Sequence, residues 1–433
     1  MSNEQTPSLL PVYLVNFIGT LGYSIVLPFL VIIVLQFGGN EWVYGVVGAS
    51  YAFFQLIGAP VLGSLSDRIG RRKVLLISQA GTFLAWVIFL IALYVPESTL
   101  VEVDSSVTGA FLVTIPLILL FLSRAFDGLT GGNVSVANAY LADVTQDDQR
   151  KKNFGRMAAS GNLGFIVGPA LAGLLGSTAL GHLLPVVLAL LISLVAIIII
   201  YFQLKDYDPC VLRSGADPDK TRKIFGQEQK ECHEMLGKDQ YSIKELLGLK
   251  NVKGLILIYF LIFLGFNFFY VAFPIHAVNG LHWDIFTLGL FFSTSGVVMV
   301  IFQGPILSWT GDKISEPRLV LIGGLLLSLG FSLFISPDKA VLFGGVILFS
   351  AGNGLMWPSF LSILSQATDQ KYQGALQGFA SSVGSLASII GLLLGGIIYT
   401  QIWEMIFVIP TIVIGLICVA LLFRPLKTRS LSS

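Results

Sequence analysis

Apolar segments of helix length alternate with short polar segments along the whole 433-residue chain. A helix needs about 20 apolar residues to cross the hydrocarbon layer of a membrane. The pattern therefore predicts an all-α membrane protein with twelve transmembrane helices, which we call spans 1 to 12. The predicted spans are residues 9–36, 43–65, 74–95, 111–141, 154–176, 182–203, 253–276, 286–309, 318–335, 340–365, 374–400 and 403–423.

Positive charges separate the two sides of these spans. Nearly all of the 26 Lys and Arg residues fall in the loops after spans 2, 4, 8 and 10, in the central segment, or near the C-terminal end. Cytoplasmic loops carry an excess of Lys and Arg, so both termini are predicted to be cytoplasmic. The loops on the other side that contain neither residue are 37–42, 177–181, 277–285 and 401–402.

Composition narrows the possible function classes. Hydrophobic residues make up 55% of the chain and charged residues 12%, about half the charged share of a soluble domain. The net charge of +1 gives no reason to expect a nucleic-acid partner. The three cysteines form no CxxC pair, so neither a metal site nor a cofactor is predicted. A nucleotide-binding Gly-x-x-x-x-Gly-Lys-Ser/Thr loop is also absent from the sequence, and an enzyme is not expected.

The chain contains an internal repeat. When Pro60 is placed against Pro305 without gaps, Asp67 falls on Asp312. Parallel repeats of this kind rock about a site near the middle of the membrane in many transporters. The predicted domains are a six-helix bundle at residues 1–203, a cytoplasmic linker at 204–250 and a second six-helix bundle at 251–433.

A short basic loop joins spans 2 and 3, running from Gly63 to Lys73. It resembles the signature loop between helices 2 and 3 of the major facilitator superfamily. The resemblance implies that Asp67 closes a cytoplasmic gate against the start of span 11, with Arg68 and Arg72 in ion pairs and Asp143 as a partner. Alternatively, Arg71, Arg72 and Lys73 only keep the loop on the cytoplasmic side of the membrane. The predicted gate residues are Gly63, Asp67, Arg68, Gly70, Arg71, Arg72 and Asp143.

Span 5 contains small residues at four-residue spacing, which allow helices to approach closely. Its GxxxGPxxAG string resembles the motif of the drug:proton antiporter branch, which implies a role in sealing the cavity against leak. Motifs in spans 1 and 4 look like those of the same branch, and residues 124–173 are similar to tetracycline efflux proteins. The predicted antiporter-motif residues are Gly164, Gly168, Pro169 and Gly173.

The likeness to tetracycline efflux proteins has one important departure. Those proteins carry a membrane-embedded aspartate in the first helix, and Gly19 occupies about that place here. Val31 also replaces the second proline of the first-helix motif. Neither tetracycline as substrate nor that proton route is therefore expected from the resemblance.

Arg124 and Asp127 are the clearest charged residues inside the predicted spans. A charge at this depth is costly and usually functional. Residues at positions i and i+3 share one face of a helix, so the two side chains can touch. The hypothesis is that Asp127 carries the exchanged proton and Arg124 tunes it. The alternative is a permanent ion pair that braces span 4.

The resemblance places spans 1, 4, 7 and 10 around the substrate cavity, with spans 2, 5, 8 and 11 flanking it. Aromatic and amide residues on these spans indicate an apolar pocket that suits amphipathic molecules better than sugars. A single buried carboxylate weakly favours a cationic substrate. The candidate cavity residues are Asn16, Tyr23, Tyr51, Gln55, Asn133, Asn267, Phe268, Tyr270, Gln303, Asn353 and Trp357.

The sequence and its resemblance together predict a secondary transporter of the major facilitator fold that exports small amphipathic compounds or drugs in exchange for protons. Its expected partners are the substrate, protons and the lipid bilayer. It is expected to be a monomer in a bacterial inner membrane. Two alternatives remain open: a proton-coupled or facilitative transporter of a specific metabolite, siderophore or lipid, and a membrane receptor that binds a ligand without transporting it.

Overall fold

The computed structural model describes residues 9–145, 149–205, 243–249, 251–311, 313–368 and 370–423. Most of the predicted linker, with Cys210 and Cys232, lies outside these residues, as do the side chains of Asp67 and of residues 370–375. The described chain is mainly helical, with one β-hairpin. We call the membrane side of the basic loop 63–73 the loop side and the opposite side the hairpin side.

In the first half, two of the six spans are broken. Span 1 consists of helices Leu10–Ser24 and Leu30–Gln36, and span 4 consists of helices Ile115–Thr130 and Asn133–Val144. The continuous helices of this half are Glu41–Ile69 for span 2, Arg71–Tyr94 for span 3, Arg150–Gly176 for span 5 and Leu183–Gln203 for span 6.

In the second half, a short helix, Ile243–Gly248, precedes span 7. Turns of π-helix extend span 7 at His276–Gly280 and interrupt span 8 at Phe302–Ile306, where Pro305 lacks a backbone N–H. The remaining bounds are Val252–Ile275 for span 7, Ile285–Ile301 and Leu307–Gly311 for span 8, Glu316–Leu333 for span 9, Lys339–Gln366 for span 10, Gln370–Ile402 for span 11, and Trp403–Phe407 with Val408–Phe423 for span 12.

Within the described residues, ten helical segments are long and apolar enough to cross a membrane. Span 1 is not among them because its break leaves two short helices. Spans 11 and 12 count as one segment, Leu376–Phe423, because a short 3-10 helix joins them without a polar loop. The structure is therefore that of a multi-pass membrane protein and is consistent with the twelve predicted spans.

The helical membrane fold is confirmed, and within the described residues a β-hairpin between spans 3 and 4 departs from the all-α prediction. Strand β1 (Thr99–Ser105) pairs antiparallel with strand β2 (Gly109–Thr114). Span 4 therefore begins at Ile115 rather than at residue 111, and the Thr114 hydroxyl caps it by accepting a hydrogen bond from the Leu117 N–H (3.4 Å). Alternation of apolar and charged residues along β1 suits a strand and not a helix.

The hairpin packs on the turn between spans 1 and 2. The Leu112 N–H of strand β2 donates a hydrogen bond to the Gly38 carbonyl (2.8 Å). The Asn40 side-chain amide donates to the Thr108 carbonyl at the hairpin tip (2.7 Å). These bonds tie the hairpin to the residues that begin span 2.

Two substitutions of Asn40 are expected to separate its capping of span 2 from its hydrogen bond to the hairpin. Its Oδ1 accepts from the Val43 N–H (3.1 Å) and caps span 2, while its Nδ2 holds the hairpin. Asn40→Ala removes both, and loss of such a cap costs about 0.5–2 kcal/mol. Asn40→Asp keeps the cap but has no side-chain N–H. We expect both variants to be cleaved faster in the hairpin by protease, and only the alanine variant to unfold at lower temperature. Equal unfolding temperatures would contradict the capping role.

The break in span 4 lies against spans 2 and 3 and is stabilised by their side chains. The Gln55 amide donates to the Gly131 carbonyl (3.3 Å), and the Ser78 hydroxyl donates to the Thr130 carbonyl. Non-helical backbone at membrane depth persists only where protein or a water-filled cavity supplies such partners. The break therefore marks a polar interior within the first half.

Spans 2 and 4 also touch through their backbones. A β-carbon added at Gly128 would collide with the Tyr51 carbonyl oxygen, and one added at Gly58 would collide with the Leu129 carbonyl oxygen. Small residues permit this close approach in membrane helices. The contact fixes the rotation of span 4 relative to span 2.

Gly128→Ala is expected to lower the free energy of unfolding by about 1–3 kcal/mol because its methyl group overpacks this contact. Gly155→Ala is the matched control, since an added β-carbon there meets no atom of the described residues within 4 Å. Thermal unfolding of the purified variants in detergent measures the difference. A Gly128→Ala protein as stable as the control would show that the helices can separate without cost.

Aromatic rings form the core of the second half. The Phe269 and Phe349 ring centroids lie 4.5 Å apart, and the Phe273 and Phe291 rings stack at 4.0 Å. All four side chains are buried. This cluster joins spans 7, 8 and 10.

Candidate functional site

A cavity of about 370 Å³ lies between the two halves, where spans 1, 2 and 4 face spans 7 and 11. Its wall combines aromatic rings, amides and hydroxyl groups with one carboxylate, Asp127. Five of the eleven candidate cavity residues proposed from sequence line it. These are Tyr23, Tyr51, Gln55, Asn133 and Asn267.

Arg124 and Asp127 contact each other at this wall. The Arg124 Nη1 lies 3.4 Å from the Asp127 Oδ2, and both side chains are buried. The guanidinium lies over the Trp86 ring at 5.0 Å and the Phe89 ring at 5.5 Å. Among the described residues, its Nε and Nη2 atoms have no hydrogen-bond partner. The pair is therefore a single contact and leaves donors of the guanidinium unused.

Aromatic contacts order one side of the cavity. The Tyr23 ring lies 5.3 Å from the Tyr51 ring and 6.0 Å from the Phe165 ring. The Gln55 amide donates to the Tyr51 hydroxyl (3.1 Å). Facing them, the Asn267 amide donates to the Ser388 hydroxyl (2.9 Å). The wall thus presents flat apolar surfaces with a few fixed polar atoms, as sites for small molecules do.

Two proposed cavity residues instead bind span 5. The Asn16 amide donates to the Met157 carbonyl (2.8 Å). The Gln303 carbonyl oxygen accepts from the Asn162 amide (3.0 Å), which links the two halves. Both side chains therefore join helices and do not line the main cavity.

The other four proposed residues lie in or near the packing of the second half. Phe268 is buried, and Trp357 contacts the Phe263 ring at 5.2 Å. Asn353 donates to a methionine sulfur of span 8 (3.2 Å). Tyr270 lines a smaller recess next to the main cavity. Of these four residues, Tyr270 is the one that lines either of the two spaces described here, the main cavity and the recess.

The halves meet closely on the hairpin side of the cavity. A β-carbon added at Gly45 would collide with the Leu392 carbonyl oxygen. Nearby, the Asn279 amide donates to the Glu41 carboxylate across the halves (2.9 Å). On the loop side, a β-carbon added at Gly378 would meet no atom of the described residues within 4 Å. The close contacts of spans 2 and 11 thus lie between the cavity and the hairpin side.

A sequence model of the Major Facilitator Superfamily matches residues 12–238 and 255–433, which is most of the chain. The chain belongs to the major facilitator superfamily. Its membership identifies a membrane transporter that is not an enzyme, and it confirms the family expected from the basic loop.

Relatives of this facilitator match it over nearly their whole length. The class B tetracycline resistance protein of Escherichia coli is 27% identical over 396 residues, covering 90% of this chain and 88% of that protein. The class G protein of Vibrio anguillarum is 28% identical, covering 94% and 95%. The fold is also similar to the crystal structure of a D-xylose-proton symporter, with a TM-score of 0.75, 16% identity and 97% coverage of both chains.

Gly19 of this facilitator lies on the cavity wall. A β-carbon added there would lie 3.0 Å from the Asn133 side-chain nitrogen. A side chain at position 19 would therefore require the Asn133 amide to shift. Asp127 is the carboxylate that the described cavity wall contains.

Arginines at the start of span 3 contact two other helices. Arg71 forms an ion pair with Asp143 at the end of span 4 (2.9 Å). Arg72 donates to the carbonyls of Ile200 and Tyr201 at the end of span 6. Neighbouring positions on a helix point about 100° apart, so the start of span 3 directs these two arginines to different helices.

Gly70 separates spans 2 and 3 with a backbone φ of +98°, a conformation that glycine adopts without strain. Gly63 has no atom of the described residues within 4 Å of an added β-carbon. The Asp67 side chain lies outside the described part of the chain, so its expected contact with span 11 stays a prediction.

The glycines of the antiporter motif face two different helices. Added β-carbons at Gly164 and Gly168 would press on the backbone of span 1, at 2.8 Å from the Leu21 nitrogen in the first case. Gly173 faces span 8, where an added β-carbon would lie 3.2 Å from the Gly289 Cα. Pro169 lies within the continuous helix of span 5. The motif thus joins span 5 both to its own half and to the other half.

Proposed function

We propose that this facilitator exports small amphipathic compounds in exchange for protons, by alternating access. The observation that carries the proposal is the position of Asp127, a buried carboxylate in the wall of an aromatic cavity between the halves. An ionisable group in such a place can hold either a proton or a substrate charge. The relatives named as tetracycline resistance proteins support drug export over uptake.

The proposed arrangement is a monomer in a bacterial inner membrane with the loop side in the cytoplasm, because the loop side carries nearly all the cations. The bundles at 1–203 and 251–433 would rock against each other as two domains joined by the linker. With the hairpin side closed, the conformation described here then corresponds to the state that accepts substrate from the cytoplasm.

In this proposal Asp127 carries the exchanged proton and Arg124 tunes it. The basic loop, including Asp67 and the Arg71–Asp143 pair, would hold the cytoplasmic gate when the cavity opens to the hairpin side. The span 5 glycines would seal the closed hairpin side, with Gly173 in backbone contact with span 8 and with Gly164 and Gly168 against span 1.

Everted membrane vesicles test the export proposal. Respiration acidifies their interior, and a quenched pH-sensitive dye then reports any proton release. We expect amphipathic cations or drugs to evoke release in vesicles that contain the protein and not in vesicles that lack it. Silence across cations, neutral drugs and organic acids, in vesicles with folded protein, would contradict the proposal. It would favour a narrow-substrate transporter or a receptor.

A further inference from the structure

We propose that the preferred substrates are zwitterions, whose anionic group binds Arg124 while their cationic group displaces the proton from Asp127. This inference rests on the export function proposed above and adds the charge pattern of the substrate. Its basis is a recess beside the main cavity and the unused donors of the Arg124 guanidinium.

The recess extends the main cavity towards the closed hairpin side. It has a volume of about 60 Å³, and Tyr23, Tyr51 and Asn267 line both spaces, so the two are adjacent. Tyr44 and Arg124 line the recess but not the main cavity. A volume of this size holds a few water molecules or the carboxylate head of a ligand. The apolar body of the same ligand would remain in the larger cavity.

The free donors of Arg124 match a carboxylate. A guanidinium has five N–H donors, and the contact with Asp127 involves only Nη1. Nε and Nη2 have no partner among the described residues and lie along one edge of the planar group. Both atoms are buried, so a carboxylate reaches them when the side chains around the recess shift on binding. Two N–H donors on one edge bind both oxygens of a carboxylate. A buried, charged donor pair left without an acceptor is costly, so a ligand that supplies the acceptor gains binding energy.

The surroundings of Arg124 favour this role. Trp86 and Phe89 lie against the guanidinium and limit its rotation, which reduces the entropy lost on binding. The hydroxyls of Tyr23, Tyr44 and Tyr51 belong to residues of the same recess and can donate to an anion. In the described linings of both spaces, Asp127 and Arg124 are the only residues of the Asp, Glu, Lys, Arg and His types.

Proton exchange requires the cationic group of the substrate in addition to the anionic group. An anion on Arg124 alone would weaken the hold of Arg124 on the Asp127 carboxylate and would favour proton binding, which opposes exchange. A cationic group beside Asp127 does the reverse, because it competes with the proton for the carboxylate. Sequence alone weakly favours a cation. The geometry adds the anionic group because Asp127 is already paired while Arg124 retains free donors.

Three matched probes separate these possibilities in binding measurements on the purified protein, without a proton gradient. The zwitterion is 4-amino-3-phenylbutanoic acid, whose charges are separated by three carbons. The amine without the carboxylate is 2-phenylpropylamine, and the acid without the amine is 3-phenylbutanoic acid. We expect the zwitterion to bind at least about tenfold more tightly than either, because a charge-assisted bond is strong when buried. Titration calorimetry gives the three dissociation constants.

Substitutions of Arg124 and Asp127 show which residue binds each charged group of the zwitterion. Arg124→Gln is expected to reduce zwitterion affinity to that of the amine while leaving amine binding in place. Arg124→Lys keeps the positive charge but not the two-donor edge, so it should also lose most of the preference and provides a second variant if the first fails to fold. Asp127→Asn should reduce zwitterion affinity to that of the acid.

Equal affinities of zwitterion and amine in the wild-type protein, or no binding of the zwitterion, would overturn the inference. So would a preference that survives both Arg124 substitutions. These results are independent of the export proposal, because binding needs no gradient. Amine-evoked proton release in vesicles without zwitterion preference would leave export intact and remove the inference alone.

Discussion

Asp127→Asn is expected to abolish compound-evoked proton release while compound exchange without a gradient persists. Asparagine keeps the shape of the side chain, but its amide does not bind and release a proton near neutral pH. Release from everted vesicles should fall to the level of vesicles without the protein. Counterflow, in which labelled compound exchanges for unlabelled compound across a proteoliposome membrane, should remain measurable.

The alternative role of the pair gives a different result. Asp127→Asn leaves Arg124 without its carboxylate partner, and loss of one partner of a buried pair costs up to about 3–5 kcal/mol, so the variant is expected to unfold at lower temperature under either role. If the contact only braces span 4, proton release and counterflow should be lost together. Unchanged proton release in a stable Asp127→Asn protein would place the proton site elsewhere.

Gly45→Ala is expected to hinder closure of the hairpin side. Its methyl group would press on the Leu392 carbonyl oxygen of span 11, which cannot move without its helix. Overpacking of about 1–3 kcal/mol would change the ratio of closed to open hairpin side by roughly 5- to 150-fold. Spin labels on the hairpin-side ends of spans 2 and 11 should show a longer mean distance, and transport should slow accordingly.

Gly48→Ala is the matched control for this prediction. It lies three residues further along the same helix, and its added β-carbon would be 3.8 Å from the Leu392 side chain, an ordinary contact. Because Gly48 lines the cavity, the control applies to the label distances, which we expect to match the wild type. Equal effects of the two substitutions would show that helix propensity, and not the contact between halves, explains the change.

Apolar length predicted the helical layout of the chain because a membrane imposes a minimum span. It could not predict the breaks in spans 1 and 4, since these depend on partners from other helices, such as Gln55 at the Gly131 carbonyl. The adjacent glycines Gly131 and Gly132 were a signal for the second break. The reach of span 4 back to residue 111 was wrong because apolar residues of strand β2 extend the hydrophobic segment.

The hairpin itself was open to prediction from its residues. Val101, Glu102, Val103 and Asp104 alternate with the period of a strand. Counting apolar residues overlooked the alternation, because a span prediction weighs length over period. The contacts that position the hairpin, including that of Asn40, join distant parts of the chain and leave no local pattern.

Part of the candidate site could be predicted from the sequence. The i, i+3 spacing of Arg124 and Asp127 suggested that they could touch, and the two lie in contact. The identity of cavity residues was less accessible, because an amide such as that of Asn16 can equally well bind the backbone of a neighbouring helix. Helix rotation decides between these outcomes, and packing across helices sets rotation. The free edge of Arg124 is likewise visible only in the folded chain.

Uphill transport by the purified protein tests the central claim most directly. Proteoliposomes with an acidic interior and a neutral exterior would receive a fluorescent amphipathic quaternary ammonium cation, which has no permeant neutral form, at equal concentration on both sides. Proton-coupled exchange predicts that the cation accumulates inside beyond the level of protein-free liposomes, and that the excess disappears when nigericin dissipates the pH gradient. Accumulation that never exceeds the protein-free level, from protein that binds the cation, would contradict proton-coupled export.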